Sequence, residues 1–126
     1  RMHCRAARNM REYIRREVFP YTDRYDTIVV EDLPSDIGHR ETPHLSFMRT
    51  IRTMLIQRYG CERVIDVDPA GTSRTCSMCG HLCDRSWSSM PDRVGHCPAC
   101  GHEEQSDLNA ARNVLCKLAK SQAVAE

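Results

Sequence analysis

No run of eighteen apolar residues occurs anywhere in this chain of 126, so nothing in it reads as a membrane-spanning helix. The N-terminus also lacks an apolar signal core. It is arginine-rich and therefore not a secretory leader. The first residue is Arg1 rather than Met, and the chain is expected to be part of something longer. Lysine is scarce. Arginines outnumber lysines sixteen to two, a bias that reads as genome composition rather than function. Strong net charge is missing too, and at +1 the chain does not declare a nucleic-acid partner by charge alone. There is no low-complexity tract, and no internal repeat beyond two short Cys-x-x-Cys-Gly strings.

What is present suits one compact domain with a small appended module. Apolar residues make up 40 % and charged residues 28 %, an ordinary globular balance. A chain of this length buries roughly two thirds of its unfolded surface, enough for a modest core. The charge is segregated. Residues 1–24 hold seven arginines against three acids, and residues 25–48 hold five acids against one arginine. A basic segment beside an acidic one suits a polyanion contact next to a cation site. Solvated faces patterned by chance give the same picture.

Residues 2–19 read as a helix, with Ala7, Met10, Ile14 and Val18 on an apolar face and Arg1, Arg5, Arg8, Arg11 and Arg15 on another. Pro20 is expected to stop it. Thr27-Ile28-Val29-Val30 reads as a buried strand ending at Glu31, and residues 35–44 read as a loop. A second helix is expected over 45–59, with Leu45, Met48, Ile51, Leu55 and Tyr59 inward and Gly60 as its cap. Residues 63–68 read as a second strand. Residues 107–120 read as a last helix, with Leu108, Ala111, Leu115 and Leu118 on one face. Strand, helix, strand, helix is an α/β order and implies a parallel sheet. Only two strands are visible, which makes a thin sheet and suggests that part of the domain lies elsewhere.

Residues 72–102 have few large apolar side chains and cannot build a core unaided. They hold Cys76-Ser77-Met78-Cys79-Gly80 and Cys97-Pro98-Ala99-Cys100-Gly101. Each Cys-x-x-Cys lets two thiolates of one tight turn reach the same ion, and the following glycine lets the backbone turn. Four soft thiolates in a tetrahedron suit Zn²⁺, and a closed set leaves no open position, so the ion is structural. It would stabilise an otherwise unfolded segment by on the order of 10 kcal/mol. Two redox dithiols are the rival reading, and Cys83, His81, His96 or His102 could each replace a ligand. Cys4, Cys61 and Cys116 read as small buried hydrophobes. Arg74, Arg85, Arg93 and Trp87 could meet phosphates and a base. The negative thiolate centre with Asp84 and Asp92 beside it argues instead for a structural or docking ribbon.

Two carboxylates stand out. Glu31 ends the first strand, where α/β folds place functional groups, and Asp107 opens the last helix. Together they could hold Mg²⁺ or Mn²⁺, whose paired ions activate a water and steady the leaving oxygen of a phosphodiester. Equally, Asp107 could cap its helix, and Glu31 could be a solvated strand end.

The string Val67-Asp68-Pro69-Ala70-Gly71-Thr72-Ser73-Arg74-Thr75-Cys76-Ser77-Met78-Cys79-Gly80 resembles the ribbon entry of the TnpB/OrfB-type proteins, transposon-encoded RNA-guided nucleases. Ile28-Val29-Val30-Glu31-Asp32-Leu33 and Asp107-Leu108-Asn109-Ala110-Ala111-Arg112-Asn113-Val114 agree with the same family, in its order. The resemblance implies an α/β, partial RNase H-like (RuvC-type) fold over residues 1–70. A Cys4 zinc ribbon over 71–104 would be inserted before the last helix, 105–126. It implies a DNA endonuclease with guide RNA and DNA as partners, no membrane, and a cytoplasmic location in a prokaryote. It makes Glu31 and Asp107 the second and third catalytic acids and Mg²⁺ or Mn²⁺ ligands, and Cys76, Cys79, Cys97 and Cys100 the zinc ligands. Arg5, Arg8, Arg15 and Arg74 are the candidate nucleic-acid contacts. The family's first catalytic aspartate lies upstream in an Asp-x-Gly context, and none precedes Glu31 here. The chain by itself is therefore expected not to cut DNA. A non-catalytic nucleic-acid-binding ribbon module and a ribbon used only for protein docking are the alternatives.

Overall fold

The computed structural model describes residues 2–32 and 43–125, in two compact units, Arg1–Asp66 and Val67–Glu126. The first opens with a helical rod: α1 (Met2–Tyr13), a π-helical turn (Ile14–Val18) and α2 (Phe19–Thr22). Pro20 does not stop this rod, contrary to the sequence expectation. It sits in the first turn of α2, where a missing N–H is tolerated, and the widened π-turn shifts the hydrogen-bond ladder just before it. Ile14 is fully buried and Met10 and Val18 pack beside it, whereas Ala7 and the arginines Arg5, Arg8, Arg11 and Arg15 are exposed.

β1 (Ile28–Glu31), α3 (Pro43–Tyr59) and β2 (Val64–Val67) follow, and β1 pairs with β2 in a two-stranded sheet. β1 is half-buried rather than buried, because a sheet of two strands has no inner strand. The expected loop over 35–44 lies outside the described residues except at 43–44, where α3 has begun. Gly60, at φ +85°, returns its N–H to Ile56 O at 2.8 Å and ends α3 as expected. Ile14, Phe19, Met54, Leu55 and Val64 form the core, with Phe47, Ile51, Ile56 and Tyr59 of α3 packed against it. Leu45 and Met48 are only half-buried. The apolar stripe of α3 is wider than the series traced from Leu45 and includes Met54 and Phe47.

Polar clasps tie this unit together. Arg58 grips Asp23 with two hydrogen bonds of 2.8 and 2.9 Å, and the Tyr59 hydroxyl donates to the same carboxylate. The Arg58 guanidinium first, and Tyr59 second, hold the Asp23 carboxyl down at about 2. Arg52 forks onto Asp66 at 2.8 and 2.6 Å.

The second unit is a ribbon and a long helix. β3 (Val94–His96) and β4 (Glu103–Gln105) pair antiparallel with Gly95 opposite Glu104, and a lone bridge joins Thr75 to Leu82. Neither ribbon strand was expected, since three-residue strands carry no readable periodicity. Two 3₁₀ turns (Trp87–Ser89 and Pro91–Arg93) precede β3. α4 (Ser106–Ala125) closes the chain. Its expected apolar face is overturned: Leu108 and Leu115 are 56 % and 60 % exposed, and Ala111 is exposed. The buried residues are Ser106, Asn109, Asn113 and Val114. A polar seam outcompetes the leucines because the ribbon offers backbone hydrogen-bonding groups rather than an apolar surface. None of the helices searched among the described residues is long and apolar enough to cross a membrane.

Candidate metal centre

Each Cys-x-x-Cys-Gly string folds into the same turn. Gly80 N–H donates to Cys76 O at 2.9 Å and Cys76 N–H to His81 O at 2.9 Å; Gly101 N–H donates to Cys97 O at 2.9 Å and Cys97 N–H to His102 O at 2.8 Å. Both glycines sit at φ +79°, a conformation that side-chain-bearing residues rarely adopt. The two turns bring the Sγ atoms of Cys76, Cys79, Cys97 and Cys100 within 4.8 Å of one another.

The spacing fits a four-coordinate cation. Cys76 and Cys100 have their sulfurs 3.7 Å apart, and Cys79 and Cys97 theirs 3.6 Å apart. A tetrahedral thiolate centre with bonds near 2.3 Å has sulfur–sulfur edges of about 3.8 Å. Both pairs join one turn to the other, so the two turns share a single cluster of sulfurs. The thiols differ electrostatically. Burial opposes ionisation of Cys97, but the backbone N–H groups of Cys100 and Ala99 outweigh it and bring the thiol to about 6. The His81 N–H favours the Cys79 thiolate, yet burial and the three neighbouring thiols push it up to about 12. Neighbouring thiolates repel one another, and a bound cation would offset that repulsion.

The other candidate ligands stand apart. Cys83 is buried and its sulfur accepts the Trp87 indole N–H at 3.4 Å. His102 meets Glu104 at 3.0 Å, and His96 lies 3.9 Å from Glu103. Trp87 is fully buried against Gly95, which corrects its reading as a base-stacking platform. Cys61 and Cys116 are exposed, not buried hydrophobes: Cys61 follows the Gly60 cap, and Cys116 lines the rim of a groove with Asn113, Thr72 and Thr75.

Glu31 is the half-buried last residue of β1, in the first unit. Asp107 lies in the first turn of α4, in the second unit, with its side chain 72 % exposed. Arg93 donates to one of its carboxylate oxygens and Gln105 to the other, each at 3.1 Å. Arg93 reaches it from a turn in which Asp92 and Arg93 both have φ of 56°. Arg5 and Arg8 are exposed on α1, and Arg15 pairs with Glu12 at 2.8 Å. Arg74 donates to Cys83 O at 3.0 Å and so braces the ribbon. The sequence's single Asp-x-Gly, Asp36-Ile37-Gly38, follows Glu31 and lies outside the described residues.

Two Cys-x-x-Cys knuckles gather four sulfurs into one cluster that could hold a metal ion, beside a helix with an acid in its first turn. A family model described as Cas12f1-like, TNB domain, matches residues 47–114, more than half of the chain. The chain belongs to that family. It is 34 % identical over 91 residues to the CRISPR-associated endodeoxyribonuclease Cas12f1 of Sulfoacidibacillus thermotolerans, covering 70 % of this chain and 21 % of that protein. It is 36 % identical over 78 residues to TnpB-like protein L79 of Acanthamoeba polyphaga mimivirus, covering 60 % of this chain and 14 % of that one. Among solved structures it resembles a chain from the cryo-EM structure of a Cas12f1–sgRNA–target DNA complex. The TM-score is 0.57 at 27 % identity, over 86 % of this chain and 32 % of that one. The chain thus spans about a fifth of the length of Cas12f1 and about a seventh of L79.

Proposed function

We propose that this chain is the C-terminal portion of a metal-dependent, RNA-guided DNA endonuclease of the TnpB/OrfB type. The observation that carries the reading is the family match over residues 47–114 together with four cysteines gathered into one thiolate set. In this reading residues 1–70 and 105–126 belong to a partial RNase H-like, RuvC-type domain, and residues 71–104 are its inserted ribbon. Cys76, Cys79, Cys97 and Cys100 hold Zn²⁺, whose role is structural. Guide RNA and target DNA are the partners, by analogy with the complex in which the Cas12f1 chain was solved.

Glu31 and Asp107 are the carboxylates that would hold Mg²⁺ or Mn²⁺, which would supply an activated water and charge neutralisation at the phosphodiester. Before that, Arg93 and Gln105 keep the Asp107 carboxylate in place by hydrogen bonds. The exposed Arg5 and Arg8, with Arg15, offer charge to backbone phosphates. Arg74 spends its Nε–H on Cys83 O, and its Nη groups remain donors that can meet a phosphate.

Two carboxylates position two cations poorly, so the chain alone is inactive. The test is incubation with single-stranded DNA and Mn²⁺, with and without the upstream part of a family member supplied in trans. No cleavage is expected alone. With the upstream part, cleavage is expected that Glu31→Gln or Asp107→Asn abolishes. Metal-dependent cutting by the chain alone, lost in Glu31→Gln, would overturn the inactivity. A non-catalytic nucleic-acid-binding ribbon is the second reading. It is favoured by the engagement of Asp107 with Arg93 and Gln105, and it predicts binding without cleavage in both arms.

A further inference from the structure

The second unit contains two asparagines that the apolar pattern of α4 gives no reason to bury. Asn109 is fully buried and Asn113 is 8 % exposed. They stand four residues apart, on one face of the helix. Asp107 stands two residues before Asn109, about 200° around the helix at 100° per residue, and so faces away from that seam.

The seam is specific in what it holds. Asn109 Nδ2 donates to Thr75 O at 2.8 Å, and Asn109 Oδ1 accepts the Ser77 N–H at 2.9 Å. Thr75 and Ser77 are the residues on either side of Cys76, so one amide side chain straddles a metal-ligating position. Asn113 Nδ2 donates to Thr72 O at 2.9 Å and to Thr75 O at 2.8 Å. Asn109 thus uses both ends of its amide on the first knuckle. Its partners keep their places only while the knuckle stays folded. On the other side of the helix the exposed Leu108 and Leu115 contribute no comparable grip among the described residues.

We propose that Asn109 and Asn113 are positioning residues that couple the first knuckle of the four-cysteine cluster to the helical turn carrying Asp107. Filling the cysteine site would then order Asp107 at a distance, and the spacing Asp-x-Asn-x-x-x-Asn is one device: two docking amides and one outward acid. The coupling is reciprocal, so the asparagines also support metal affinity. The proposal rests on the reading of the cysteines as a metal site and of Asp107 as a cation ligand.

The test uses the full 126-residue chain with cobalt(II) as the thiolate-centre probe. In Asn109→Ala and Asn113→Ala, the cobalt–thiolate absorption should return at saturating cobalt, with affinity reduced by about 10- to 100-fold, as for other groups that orient metal ligands. At that saturation, amide exchange over residues 106–113 should be at least about tenfold faster than in the parent. Manganese(II) broadening of the NMR signals of Gln105–Leu108 should be lost. Leu115→Ala, on the exposed side, should change none of these. Unchanged exchange over 106–113 in both asparagine variants at saturating cobalt would overturn the proposal. Should a variant not fold, chelating the metal from the parent chain decides: exchange must rise together in 72–82 and 106–113, and a rise confined to 72–82 overturns it. If exchange behaves as stated but manganese broadens nothing even in the parent, the clamp stands and the reading of Asp107 as a cation ligand falls.

Discussion

The two units solve the same stability problem with different materials. Arg1–Asp66 gathers Ile14, Phe19, Met54, Leu55 and Val64 around one apolar core and closes its edges with the Arg58–Asp23 and Arg52–Asp66 forks. Among its described residues, Val67–Glu126 has one large buried apolar side chain, Trp87, and otherwise buries cysteines, asparagines, a serine, a threonine and Gly95 with Val114. Apolar burial contributes in proportion to area, so a segment without large side chains must draw on directed bonds. Those bonds are the amide seam and, in the proposed reading, the metal–thiolate centre. The comparison teaches that the first unit should respond to lost volume and the second to lost valence.

The largest effect should come from the cysteines. Cys97→Ser, or chelation, should remove on the order of 10 kcal/mol of metal-linked stability from the ribbon. Hydrogen exchange should show far greater loss of protection over 72–105 than over 51–59. Equal loss in both would erase the contrast. Next, Leu55→Ala should cost about 2–5 kcal/mol in urea unfolding followed in the first unit, while leaving the cobalt–thiolate absorption intact. Gly95→Ala inverts the logic by adding volume where the second unit is tight. A Cβ there would lie 2.0 Å from the Trp87 ring, so a cost of about 1–3 kcal/mol is expected, read as a loss of Trp87 fluorescence burial.

Acid should act on the first unit through Asp23. Its carboxyl is depressed to about 2 in the fold, against an ordinary value of about 4 in an unfolded chain. The clasp therefore contributes fully above about pH 4 and is lost as pH falls toward 2. Asp23→Asn should flatten that part of the acid-unfolding curve, and an unchanged curve would remove the clasp from the account. The smallest effect is expected at Ser106, whose buried hydroxyl has no hydrogen-bond partner among the described residues. Ser106→Ala should shift stability by no more than about 0.5 kcal/mol, or raise it slightly, because it relieves an unsatisfied group.

Legibility followed the chemistry. Thiolate ligands must come in tight pairs, so Cys76–Cys79 and Cys97–Cys100 announced a shared site by spacing alone, and the structure brings their sulfurs together. Helix α3 and its Gly60 stop were readable because apolar periodicity and a left-handed cap are local. The path of the rod through Pro20 was not, since a π-turn leaves no compositional trace. The inward face of α4 is hidden for a related reason. Leucine spacing predicts that the leucines are buried, but which face goes inward depends on what the ribbon presents, and it presents carbonyls and an N–H to Asn109 and Asn113.

Taken by itself, the order of amino acids determined the four-cysteine cluster, the helices over 45–59 and 107–120, the two strands flanking α3 and the family resemblance, because each depends on neighbours a few residues apart. Tertiary structure alone decided that Trp87 is a buried pillar rather than a stacking surface, that Arg74 braces Cys83, that Arg93 reaches Asp107, and that asparagines rather than leucines seat the last helix. These are contacts between distant segments. Their energies come from desolvated hydrogen bonds and packing whose partners are chosen only when the chain has closed on itself.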